Sequence, residues 1–125
     1  MGFKINPRKY ILISKKSNGK CWYCGKNVED ISDDTPVGDT PSVDHVNPFS
    51  ESRDDVKNLV LSCRSCNSSK NNKDIETYRF GCARKKLGIP LLSREIISYL
   101  KYVGPIRWED IIEVYKKHIF YGETL

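Results

Sequence analysis

No run of apolar residues in this chain approaches the ~20 that a membrane-spanning helix needs. The N-terminus also lacks the apolar core of a secretory leader, because Tyr10-Ile11-Leu12-Ile13 is short and flanked by charge. A cytosolic protein that does not enter a membrane is therefore expected. There is no internal repeat and no low-complexity tract, so solenoids and linkers are set aside. At 125 residues the expectation is a single domain over residues 1–125. Its 38% hydrophobic and 30% charged residues fit a soluble globular fold with a well-charged surface. The first twenty residues contain no acid at all, against six Lys and Arg. Residues 21–58 reverse this, with three basic and nine acidic residues. Residues 59–90 turn basic again, seven against two. Basic segments on both sides of an acidic one imply a polyanionic partner with a cation site beside it, or simply solvated faces.

Disulfides are rare in a reducing compartment, so the five cysteines point to metal ligation. Four of them form two pairs of two-residue spacing, Cys21/Cys24 and Cys63/Cys66. That spacing lets both thiolates of a pair reach one ion, and two pairs complete a tetrahedron around structural Zn²⁺. The thioredoxin-like context of a redox pair is missing. Cys82 stands outside the pattern and reads as a plain core residue.

The local signals imply an α+β fold. Asn6-Pro7 is able to cap and start a helix, while the continuous run Tyr10–Ile13 equally suits a short strand. Asn18-Gly19 marks a turn, and Gly25 suits the left-handed backbone of a knuckle. Residues 27–41 read as a loop. Short strands are expected at 42–46, stopped by Asn47-Pro48, and at 59–61. A helix should start near Ser65 and another near Asp74, the second with Ile75, Tyr78 and Cys82 on its apolar face. Two more helices are expected: one capped by Ser93 with the face Ile96, Ile97, Leu100 and Val103, and one carrying Trp108, Ile111, Ile112, Tyr115 and Ile119.

Between and beside the cysteine pairs lie Asp44-His45, Asn58 and Asn67-x-x-Lys70. Any one of these is a weak signal. Together with both cysteine pairs they resemble the HNH endonuclease family, over roughly residues 21–73, in its zinc-stapled form with Asn at the third signature position. The resemblance implies two strands and a helix wrapped on a catalytic metal (a ββα-metal core), with residues 74–125 as a helical extension. It implies a hydrolase acting on the phosphodiester bonds of DNA. Asp44 and Asn67 would hold a hard divalent cation, Mg²⁺ or Mn²⁺. His45 would be the general base. Asn58 would not touch substrate but would hold the His45 strand in place. Consecutive strand residues point to opposite faces, so the strand must bend or end at Asp44-His45.

Phosphate contacts are expected from Lys70, Lys73, Arg79, Arg84, Lys85 and Lys86, with Lys15, Lys16 and Lys20 opposite. The resemblance implies DNA, double-stranded, as partner. A monomer would nick it, and a homodimer would cut both strands. Restriction, phage, mobile-element and repair settings all remain open. Two further readings stand beside the nuclease: a non-catalytic zinc-stapled DNA-binding module, and a zinc-knuckle protein adaptor. The intact Asp44, His45 and Asn67 argue against the first, and the basic flanks argue against the second.

Overall fold

A computed structural model of the chain describes residues 5–89 and 107–125. The expected helix capped by Ser93 lies outside the described residues. The chain divides into two compact units, residues 1–74 with 119–125, and residues 75–118. No helix among the described residues is long and apolar enough to cross a membrane.

The first unit opens with helix α1 (Pro7–Lys16). The Asn6 side chain accepts from Arg8 N at 2.8 Å, and Pro7 sits at the first helical position. These two signals outweigh the strand-like run that follows. Burial then follows helical geometry: Ile13 and Ser14 are buried while Ile11 and Leu12 are exposed. Asn18 and Gly19 both take positive φ in the turn after it.

The sheet has two antiparallel strands, β1 (Pro41–His45) and β2 (Leu59–Cys63), in the register Val43 to Leu61 and His45 to Leu59. Every residue of β2 is buried, which explains why Leu59-Val60-Leu61 is continuously apolar rather than alternating; the polar Ser62 is buried with its hydroxyl donating to Cys63 O at 2.8 Å. Helix α2 (Arg64–Lys70) follows at once, with Cys63 as its N-cap. The expected ββα arrangement is thus present, with β1 ending at His45 as the geometry of its last two residues requires.

The first knuckle is held on two sides. Trp22 N donates to Leu61 O at 2.8 Å, which ties it to β2. On its other side, Gly122 N donates to Trp22 O at 2.7 Å and Tyr121 N to Tyr23 O at 3.2 Å. The Tyr23 ring meets Phe120 edge-on, with centroids 5.2 Å apart. The last residues of the chain are therefore part of this unit. Gly25, at φ 78°, makes the knuckle's tight turn.

The second unit contains α3 (Ile75–Lys86) and α4 (Trp108–Lys117). Buried Ile89 and Ile111 are covered by Phe80, Leu87 and Trp108. On α3, Tyr78 and Ala83 are buried, whereas Cys82 is only half-buried. Ile119 was expected on the apolar face of the last helix. It instead lies beyond α4 and is exposed, because the helix ends at Lys117.

A β-carbon at residue 122 would collide with the Trp22 ring. Gly122→Ala is expected to lower stability by about 1–3 kcal/mol, as overpacking does. A urea unfolding curve measures this, and an unchanged midpoint would show that the C-terminal segment does not hold the knuckle.

Candidate active site

The two cysteine pairs converge. The sulfurs of Cys21, Cys24, Cys63 and Cys66 all lie within 4.8 Å of one another, and those of Cys24 and Cys63 are 3.8 Å apart. A tetrahedron with metal–sulfur bonds of ~2.3 Å has edges of about 3.8 Å, so the four sulfurs fit Zn²⁺. The Cys21 thiol is pulled down by a hydrogen bond from Cys66 and by backbone donors. Burial pushes the Cys24 thiol up. The Cys66 thiol is pushed up by its hydrogen bond with Cys21 and by burial, and a bound cation would favour the four thiolates that ligation requires. Cys21 and Cys24 come from the knuckle after α1, Cys63 from the end of β2 and Cys66 from α2, so one ion would join three elements.

Asp44 and His45 stand at the end of β1, and Asn67 stands on α2. All three line one cleft of about 1050 Å³ in the first unit, together with Pro48, Arg53, Arg64, Asn71 and Asn72. Asp44 is buried. Its Oδ2 accepts from the Tyr23 hydroxyl at 2.5 Å and pairs with Lys70 Nζ at 3.1 Å. Burial pushes its carboxyl above the usual range, while the Tyr23 hydrogen bond and the Lys70 charge pull it back. His45 Nε2 lies 2.8 Å from Asp54 Oδ1. That hydrogen bond holds the Asp54 carboxyl below its ordinary value. Asn67 donates its amide N–H to Ser42 Oγ at 2.9 Å.

Asn58 does not line this cleft. Its side chain accepts from Asn47 N and donates to Asn47 O and Arg53 O, each at 2.9 Å. Its backbone O also accepts from Val46 N at 2.8 Å. These bonds close the loop that follows His45.

Residues 21–73 match the model of the HNH endonuclease family. The match spans less than half of the chain, and it contains both cysteine pairs, Asp44, His45, Asn58 and Asn67. It supports a nuclease-type function. Among solved structures, the chain is similar to the Type II-C Cas9 enzyme from Actinomyces naeslundii. The identity is 23%, the TM-score is 0.43, and the similarity covers 100% of this chain and 14% of that one. The chain thus spans a small part of that enzyme's length. The comparison with curated proteins gives no match.

Several basic residues expected to meet phosphate are engaged elsewhere. Lys70 is wholly buried, and besides Asp44 its ammonium donates to His45 O at 2.7 Å. A lysine one turn after Asn67 therefore points into its own unit, onto β1, rather than out to solvent. Within the second unit, Arg79 pairs with Glu76 and donates to His118 O, and Arg84 donates to Ile89 O. Lys16 donates to Val56 O and Leu59 O, and Lys20 lies over the Tyr121 ring. Lys15, Lys73, Lys85 and Lys86 are exposed.

Sequence reasoning missed Tyr23, Asp54, Arg53 and Arg64. Arg64 carried a usable signal, since it directly follows Cys63, one of the four clustered cysteines. Asp54 was one of many loop acids, and only the closing of that loop by Asn58 brings it to His45.

If one ion joins the three elements, removing it should unfold this unit. Treatment with a strong chelator at elevated temperature is expected to abolish the cooperative unfolding transition, and added Zn²⁺ to restore it. Near-ultraviolet circular dichroism with metal analysis reads this; an intact transition in zinc-free protein would contradict it.

Proposed function

We propose that the chain is a metal-dependent endonuclease that hydrolyses phosphodiester bonds in double-stranded DNA. The observation that carries the reading is the shared cleft: a carboxylate, an imidazole and an amide from two elements line it together, within the segment that matches HNH endonucleases.

Asp44 and Asn67 offer the oxygen donors that Mg²⁺ or Mn²⁺ prefers. Such an ion, when bound, supplies Lewis-acid stabilisation to the phosphate and the departing 3′ oxygen. His45 takes the proton of the attacking water. Asp54 orients it: an ionised carboxylate only accepts, so Nε2 carries the proton and Nδ1 is the basic nitrogen. Asn58 keeps the His45 loop closed and does not enter the reaction.

Arg53 and Arg64 line the cleft and suit the flanking phosphates. Lys73, Lys85 and Lys86 remain proposed contacts on exposed positions. These contacts predict binding that weakens steeply with salt. A single copy of the cleft would nick one strand, while a two-fold homodimer would cut both. A reducing cytoplasm suits four ligating thiolates.

The test is incubation of supercoiled plasmid with Mg²⁺ or Mn²⁺, with His45→Ala protein alongside. The wild type is expected to nick or linearise the plasmid, with a loss of at least 10²-fold in the variant, the scale on which a general base contributes. If both proteins are inert with either ion yet retard DNA on a gel, the enzyme reading fails and a non-catalytic DNA-binding module replaces it.

A further inference from the structure

We propose that Tyr23 is a positioning residue for the hydrolytic site, holding the Asp44 carboxylate so that one of its oxygens stays turned to the cleft. The inference rests on the nuclease reading above and deepens it.

The two oxygens of Asp44 are used differently. Oδ2 takes both strong partners, the Tyr23 hydroxyl and the Lys70 ammonium. Oδ1 makes no hydrogen bond among the described residues and is not enclosed as a buried unpaired atom. Asp44 nonetheless lines the cleft. Two donors on one oxygen fix the rotation of the carboxylate plane. The group is then a preorganised single-oxygen ligand, and no conformational search precedes cation binding.

Tyr23 is well placed for this. It lies between Cys21 and Cys24, so ligation of the knuckle fixes its backbone on both sides. Its backbone oxygen accepts from Tyr121 N, its ring packs edge-on against Phe120, and the residue is 5% exposed. The hydroxyl has little freedom to move. The four-sulfur cluster and the oxygen site are thereby joined through one side chain, and the zinc would set the geometry of the second ion.

Lys70 adds a second tie. Its Nζ reaches both the Asp44 carboxylate and the backbone oxygen of His45, so it restrains both residues of the pair. A buried charge pair is strongly destabilised when one partner is removed. Lys70 is therefore a poor probe, and Tyr23→Phe is the better one, since it removes only the hydroxyl and keeps the ring.

The experiment titrates Mn²⁺ into zinc-loaded wild-type, Tyr23→Phe and Asp44→Asn proteins, with free Mn²⁺ read by electron paramagnetic resonance. Plasmid nicking against Mg²⁺ concentration runs in parallel, and zinc content and the unfolding midpoint serve as controls on the fold. Tyr23→Phe is expected to weaken Mn²⁺ binding about 10-fold or more, as loss of a ligand's supporting partner does. It should raise the Mg²⁺ needed for half-maximal nicking by a similar factor, with the rate largely recovered at saturating Mg²⁺ and zinc content unchanged. Unchanged Mn²⁺ affinity in Tyr23→Phe, with binding lost in Asp44→Asn, would overturn this inference alone. Wild-type binding that Asp44→Asn does not disturb would overturn both this inference and the nuclease reading. If Tyr23→Phe loses zinc and fails to fold, its role is structural and the inference also falls.

Discussion

The convergence of four sulfurs is the constraint on which the first unit depends. A sheet of two five-residue strands and a helix of seven residues bury too little to hold a fold unaided. The cysteine cluster lies where the knuckle, the end of β2 and the start of α2 meet. An ion bound there would close a long loop and offset part of the entropy of ordering it, beside the small core around Ile13, Val28, Leu61 and Phe120. The C-terminal residues add a second tie, laying Gly122 against Trp22 and Phe120 against Tyr23.

From this frame the oxygen-rich cleft follows almost mechanically. β1 pairs with β2, so its last residues are fixed relative to Cys63. Asp44 is then drawn inward by Tyr23 from one cysteine pair and by Lys70 from the helix of the other. His45 is held by Asp54 through the loop that Asn58 closes. Each group proposed to act on substrate is thus supported by a residue with no direct part in the reaction. That is the arrangement expected where geometry within half an ångström matters.

Much of this was legible in the sequence because it rests on local spacing. The cysteine pairs, the Asp44-His45 strand end, and Asn67 just after Cys66 are all defined by neighbours along the chain. Asn6-Pro7 offered a start for α1, but the run Tyr10–Ile13 left a strand equally open until burial showed a helical rather than an alternating period. What could not be read depends on distant parts of the chain. Lys70 looks like one more basic surface residue until α2 packs on β1. Arg79 and Arg84 look like phosphate contacts until Glu76 and backbone carbonyls claim them. Tyr23 and Asp54 gain their meaning only from partners 21 and 9 residues away. Charge along a sequence counts cations; the fold decides which of them face solvent.

The central claim is that one protein frame holds two chemically distinct ions, a soft site of four sulfurs and a hard site at Asp44 and Asn67. Anomalous diffraction from crystals of the purified protein soaked in Mn²⁺, collected at the zinc and manganese edges, tests it most directly. The account predicts zinc at the centre of Cys21, Cys24, Cys63 and Cys66, and manganese in the cleft against Asp44 and Asn67, beside His45. Manganese absent from the cleft, or bound away from Asp44, would contradict it.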